Sequence, residues 1–334
     1  MRIFERIQYT TAVALLTSNC LGYGEYAKYL QYIELSLVLI GAWTEGFRFP
    51  QLPFCVVFLV YLIVNTTLGY RMDIFLFLAI LFALYCWFKF GESDYSKFKP
   101  CGKFRVGYRY FRSKNGNDCS VFYPAAQDGS GEYGVPFLPY GNENVKGLLA
   151  VVSQQYPAFK PLSKILLGSM TTIKIPVYRN ANPGLAKMQP IIFSHGLTGQ
   201  RNTYGATFME LASCGYCVFT ISHNDRSADY TPRVGLYRND VPIYTYEVKN
   251  LQVSIRETEI GQLADEIMRP GFLSSIFSEW TNSTLTDQLV LMGHSFGGIS
   301  VFGAAKLCKQ AKAIVGIDPW FYPHSRDEIG AAEN

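Results

Sequence analysis

The sequence predicts an α/β protein, with a mostly parallel sheet covered by helices on both faces and an apolar helical region in front of it. Three observations carry this. From about residue 187 onward, apolar runs of strand length alternate with helix-length stretches, the pattern of consecutive βαβ units. The segment "GHSFGG" (293–298) sits where one such strand hands over to a helix. Between Tyr32 and Phe90, by contrast, apolar and aromatic residues dominate, whereas the rest of the chain is an ordinary mixture.

The N-terminal part, residues 1–92, is read first. "MDIFLFLAILFALYCWFKF" (72–90) has no charge between Asp73 and Lys89, and "LPFCVVFLVYLIVNTTLGY" (52–70) is similar, with Pro53 suited to a first helical turn. A membrane-spanning helix needs ~20 mostly apolar residues, so both stretches are expected to span. A third stretch, about 29–47, contains Glu34 and reads as a further span or as an amphipathic interfacial segment. A cleaved signal peptide does not fit, because the hydrophobicity peaks late and recurs. Lys89, Lys97, Lys99, Lys103 and Arg105 follow the last stretch, against Arg2, Arg6 and Lys28 before the first. By the positive-inside rule, the expectation is a multi-pass membrane protein with its second domain on the cytosolic side.

That second domain is expected over 103–334. "FRVGYRYF" (104–111) and "CSVFYP" (119–124) flank the turn-rich "RSKNGND" and predict a β-hairpin at a sheet edge. A Gly- and Pro-rich passage follows, then a short helix in "FKPLSKILLGSM" (159–170). Strands are then expected in "QPIIFS" (189–194), "YCVFTIS" (216–222), "DQLVLMG" (287–293) and "AKAIVGID" (311–318). The helices between them are "TYGATFMELASCG", "QVSIRETEIGQLADEIM" (252–268) and "FGGISVFGAAKLCKQ".

A net charge of +4 is too mild for a nucleic-acid surface, and no charged partner is implied. The eight cysteines show no regular framework, and Cys214-x-x-Cys217 has no second pair to complete a zinc site. Neither a cofactor nor a metal is expected.

G-x-S-x-G between a strand and a helix makes a sharp, strained turn that lifts the serine hydroxyl out of the sheet. Ser295 is therefore the candidate nucleophile, with Gly293 and Gly297 avoiding clashes a Cβ would make. The second constellation is "FSHGLTGQRNTYG" (193–205), following a buried strand. An H-G-x loop there supplies one backbone N–H for an oxyanion, paired with the N–H of the residue after the nucleophile. Those two donors are Leu197 and Phe296. His195 and His294, each next to one of these positions, read as residues that orient the turns.

"LLGSMTT" (166–172), "FSHGLTGQRNTY" (193–204), "HNDRSA" (223–228), "GHSFGG" (293–298) and "IDPWFYP" (317–323), in this order, resemble the isoform II family of platelet-activating factor acetylhydrolases, over about residues 104–334. The resemblance implies an α/β-hydrolase fold and a calcium-independent serine esterase. The implied substrates are phospholipids with a short or oxidised sn-2 acyl chain. It implies Ser295 as nucleophile, Asp318 as the triad acid, and Leu197 and Phe296 as oxyanion donors. "LLGSMTT" resembles the end of the family's interfacial helix.

Two features depart from it. The N-terminal region lies outside the shared domain, which implies anchoring in the membrane. The triad histidine, which in the family follows at least one further strand beyond the acid, has no counterpart at a matching position. The only histidine after Ser295 is His324, six residues past Asp318, which would have to fold back across the turn to reach the serine. The expectation is therefore a domain lacking its C-terminal strands, and two functions: a membrane-anchored phospholipid ester hydrolase acting through acyl-Ser295, or an inactive or truncated relative that binds lipid.

Overall fold

A computed structural model describes residues 3–44, 51–68, 73–90, 95, 98–159, 163, 167–277 and 280–323. The chain divides into two compact units, Met1–Lys97 with Pro161–Thr172, and Phe98–Lys160 with Ile173–Asn334.

Among its described residues the first unit contains the helices α1 (Ile3–Cys20), α2 (Gly24–Thr44), α3 (Leu52–Leu68) and α4 (Asp73–Phe90). The expected membrane spans, and the multi-pass placement built on them, are overturned. Among the described residues no helix is long and apolar enough to cross a membrane. α3 has 17 residues and α4 has 18, and at 1.5 Å per residue such helices reach about 25–27 Å, short of an apolar thickness of ~30 Å. Part of the apolar pattern forms a shared core: Tyr9, Ala12 and Leu15 of α1 are buried with Phe54, Phe58 and Tyr61 of α3 and Leu76, Ile80 and Ala83 of α4, while Ile63, Ile74 and Phe75 stay exposed. α1 has no counterpart in the sequence expectation, because its apolar positions are diluted by polar ones. Those polar groups work inside the unit. Asn19 donates to Tyr61 Oη and to Asp73 Oδ1, each at 2.8 Å, and Gln8 donates to the Leu37 carbonyl at 3.0 Å. Glu34 is buried as well, and neither of its carboxylate oxygens has a hydrogen-bond partner among the described residues.

In the second unit, the strands are β1 (Arg105–Arg112), β2 (Asp118–Ala125), β3 (Glu132–Pro136), β4 (Lys174–Arg179), β5 (Lys187–Ser194), β6 (Tyr216–Ser222), the two-residue β7 (Tyr230–Thr231), β8 (Gly235–Leu236) and β9 (Thr284–Leu285), then β10 (Leu289–His294) and β11 (Ala311–Ile317). Its helices are α5 (Asn142–Gln155), α6 (Gly205–Ser213), α7 (Tyr246–Ile267), α8 (Phe272–Ile276) and α9 (Phe296–Ala305). The main sheet runs β11-β10-β5-β6-β2-β1-β4-β3, with β9 beside β5. Its parallel part is β11, β10, β5 and β6, and antiparallel β2 carries it into β1. The expected hairpin forms in full register, from Arg105 opposite Ala125 to Arg112 opposite Asp118. It lies inside the sheet and not at an edge, because β4 pairs with β1 and β3 with β4. Those two strands come from passages whose Gly and Pro content hid them. The helix expected at 159–170 lies largely outside the described residues, and Ser169–Thr172 forms a 3₁₀ turn.

One face of the sheet packs Val121, Tyr123, Ile192, Phe219 and Leu291 against Ile260, Leu263 and Ile267 of α7, in a single core. On β2, β5 and α6, Phe122 and Phe193 meet Phe208, with ring centroids 5.1 and 4.9 Å away. Both layers converge on the C-terminal ends of β5, β6, β10 and β11, where ligands of open parallel sheets bind.

Candidate active site

The turn after β10 is built as its sequence requires. Ser295 has φ 55° and ψ −118°, a region that a side-chain-bearing residue occupies only when its surroundings force it there. They do so by backbone bonds: Ser295 N–H donates to the Ile317 carbonyl at 2.9 Å, and Trp320 N–H donates to the Ser295 carbonyl at 3.0 Å. A Cβ at Gly293 would lie 2.2 Å from the Gly297 carbonyl oxygen, and one at Gly297 would lie 2.1 Å from the Ser194 carbonyl oxygen. Both glycines are fixed by space. Phe296 opens α9, so its N–H has no acceptor within the helix.

The loop after β5 arrives beside this turn. A Cβ at Gly196 would be 3.4 Å from Ser295 Cβ. Residues 196–199 form a tight turn in which Gly199 N–H donates to the Gly196 carbonyl at 3.2 Å and Thr198 holds φ 60°. Left-handed backbone at a β-branched residue is an outlier, and Thr198 is pinned by its N–H to the Ser227 carbonyl at 2.7 Å. Tyr204 ties loop to elbow, since its hydroxyl accepts from Gly196 N–H at 3.1 Å and lies 2.8 Å from His294 Nδ1.

A pocket of about 340 Å³ opens onto Ser295, lined by Leu197, Thr198, Tyr237, Tyr244 and Trp320 among others. Trp320 stacks on Tyr322 at 5.5 Å, and Tyr244 meets Trp320 edge-on at 5.9 Å. The walls of the pocket are mainly aromatic and aliphatic. Asp318, with φ 43°, follows β11 directly and lies between the two residues that bond the Ser295 backbone.

Of the sequence candidates, Ser295, Phe296, Leu197 and Asp318 are thus brought to one end of the sheet, whereas His324 lies outside the described residues. His195 and His294 make their hydrogen bonds to groups other than the Ser295 hydroxyl. His195 Nδ1 donates to the Gly196 carbonyl at 2.7 Å while its Nε2 accepts from His223 N–H at 3.3 Å.

Sequence reasoning missed what lies beneath. Ser194 Oγ is 2.9 Å from His223 Nε2, and His223 Nδ1 is 2.7 Å from Glu259. This chain has triad-like order, but Ser194 and His223 are fully buried, so no substrate reaches it. Burial, with Arg256 nearby, pushes the His223 imidazole well below its usual range, and burial pushes the Glu259 carboxyl up to about 7. Beside it, Arg256 Nε donates to Asp225 at 2.8 Å, both side chains wholly buried. The signal in the sequence was Arg256 itself, a charge on the apolar stripe of Val253, Ile260 and Leu263.

A strand–elbow–helix turn with its serine at φ 55°, on a sheet whose parallel part is flanked by helices, defines an α/β-hydrolase fold. Residues 91–333 match the family described as platelet-activating factor acetylhydrolase, isoform II, and the chain belongs to that family. It is 30% identical over 192 residues to the platelet-activating factor acetylhydrolase of Cavia porcellus, covering 50% of this chain and 42% of that one. With the Canis lupus familiaris enzyme of the same name it shares 28% over 255 residues, covering 67% and 55%. The chain spans about half the length of these curated relatives. Among solved structures it is similar to a ferulic acid esterase from Streptomyces cinnamoneus, with a TM-score of 0.48, 16% identity and coverage of 69% of this chain and 64% of that one.

Proposed function

We propose that this protein is a serine ester hydrolase acting on phospholipids whose sn-2 acyl chain is short or oxidised, through an acyl-Ser295 intermediate. The observation that carries this reading is the elbow. Ser295 is held in a strained conformation with its side chain at an apolar pocket and the 196–199 loop in van der Waals reach. A pocket of about 340 Å³ is at the small end of ligand sites, which suits a short acyl chain better than a full fatty acyl chain.

In this reading Ser295 Oγ attacks the ester carbonyl, and the backbone N–H groups of Leu197 and Phe296 take the charge that develops on its oxygen. Such fixed donors are worth a few kcal/mol of barrier each. The Ser295 proton must pass to a base and from it to the leaving alcohol; an imidazole held by Asp318 would do this, and no described histidine occupies that place. Among the described residues, His195, His223 and His294 have their hydrogen bonds elsewhere.

The test is labelling of the full-length protein with a fluorophosphonate probe. Ser295 is expected to carry the label, and Ser295→Ala to abolish it. Asp318→Asn is expected to lower kcat about 10⁴-fold, by freeing the base to take the wrong tautomer. Label that persists in Ser295→Ala defeats the assignment. A folded protein that binds short-chain phospholipid without labelling is the inactive lipid-binding relative.

A further inference from the structure

We infer that Arg256 is a positioning residue of the oxyanion hole, a side chain that braces both of its backbone donors; this rests on the hydrolase reading above. A peptide is planar and trans, so the direction of the Gly196 carbonyl dictates the opposite direction for the Leu197 N–H. Whatever holds that carbonyl aims the donor.

The Gly196 carbonyl accepts from the His195 ring at 2.7 Å and from Gly199 N–H at 3.2 Å. The loop has no regular secondary structure to keep these bonds in place, and a flip of the Gly196–Leu197 peptide would turn the Leu197 N–H away from the Ser295 hydroxyl. Arg256 opposes the flip from two sides. Its Nη1 donates to the His195 carbonyl at 2.5 Å, holding the peptide just before the turn. Its Nη2 and Nε donate to Ser227 Oγ at 2.5 and 3.2 Å, and the Ser227 carbonyl in turn accepts from Thr198 N–H, just after the donor. The same guanidinium lies 4.6 Å from the centroid of the Phe296 ring, whose backbone supplies the second donor. Asp225 neutralises the charge and orients the fork through Nε.

Only a planar fork reaches these three acceptors and a ring face at once. A lysine keeps the charge and satisfies one or two of them. Arg256 is wholly buried and does not line the pocket, so it acts on the hole and not on the substrate.

The experiment uses the full-length protein, with steady-state hydrolysis of p-nitrophenyl acetate and fluorophosphonate labelling of Ser295. Arg256→Lys is expected to lower kcat about 100-fold, the loss seen when one oxyanion donor is removed, with KM essentially unchanged and the circular dichroism spectrum retained. In Arg256→Ala, low-millimolar guanidinium ion is expected to restore at least a tenth of the lost kcat, a rescue that general loosening of the fold would not show. Should either substitution prevent folding, Ser227→Ala tests the same bracket, with an expected loss of about 10-fold in kcat at constant KM. Variants that fold and turn over at the parent's rate overturn the role of Arg256, as does a rise in KM with kcat intact. If the parent itself takes no label at Ser295, it is the hydrolase reading that fails, so the two failures are separable.

Discussion

Asp225 and Glu34 are both carboxylates shut away from water, one paired with Arg256 in the sheet-containing unit and one inside the helical unit, and they titrate in opposite directions. Burial alone raises a carboxyl group's pKa, because it penalises the charged form. At Glu34 nothing counters it, and the group is pushed up from 4.5 to about 8. At Asp225 burial is the largest influence as well, but the Arg256 cation, His223 and the Ser227 hydrogen bonds overcome it and hold the carboxyl below 3.8. The lesson is that burial does not decide charge in this chain; the partner does. A buried acid is a fixed anion in one unit and a proton carrier in the other.

Three substitutions sharpen or break that contrast. The largest effect is expected at Asp225. Removing one member of a buried pair leaves the other charge uncompensated, so Asp225→Asn should cost about 3–5 kcal/mol at pH 7. The folded-state pKa is depressed, so the native contribution is complete above 3.8 and is lost as pH falls through the folded value. In urea titrations the gap between parent and variant should therefore close only in acid. A gap independent of pH would show that the pair's charge is irrelevant.

The opposite sign is expected at Glu34. Its folded pKa lies above the unfolded one, so the native state holds a proton that the unfolded chain gives up, and stability declines as pH rises from 4.5 to about 8. Glu34→Leu should stabilise the helical unit by about 2 kcal/mol above pH 8 and by much less below 4.5. Hydrogen exchange of amides in α1 and α2 reads this directly, and a destabilised variant would mean that Glu34 has a partner after all. Lys249 is the intermediate case. It is buried, with one bond to Gln252 at 2.8 Å, and burial draws it down from 10.5 to about 8 despite Asp225. The cost of its charge is present below pH 8 and fades between 8 and 10.5, so Lys249→Met should gain about 1 kcal/mol at pH 7. A loss there would place Lys249 among the groups that hold Asp225.

How far the sequence carried follows the same division. The βαβ alternation from residue 187 and the small residues of "GHSFGG" located β5, β6, β10, β11 and the elbow, because period and glycine placement are local properties. β3 and β4 escaped, since Gly134 and the surrounding turn residues mask β3, whose partner is β4, and β4 in turn depends on distant β1. The apolar runs of α3 and α4 were legible as helices but not as a bundle: a helix apolar all round reads alike whether lipid or protein covers it, and length decided against crossing. His223, Asp225 and Ser227 sit together in "HNDRSA", but their partnership with Arg256 was invisible because that segment and α7 meet only when the sheet closes.

The order of the sheet also has a kinetic meaning. Gly297 rests on Ser194, roughly a hundred residues earlier in the chain, and Ser295 is stitched to Ile317 and Trp320 beyond the next helix. Contacts of such long sequence separation form late, after the loops between them have been closed. Until they do, nothing compels Ser295 into φ 55°, and a chain stalled with only β1 and β2 paired carries an ordinary, relaxed serine. Under the proposed role of Ser295, its reactivity toward a phosphonate is a clock for the last stage of folding, and the delay between recovery of backbone dichroism and recovery of labelling during refolding measures how long the chain waits for β10 and β11 to dock.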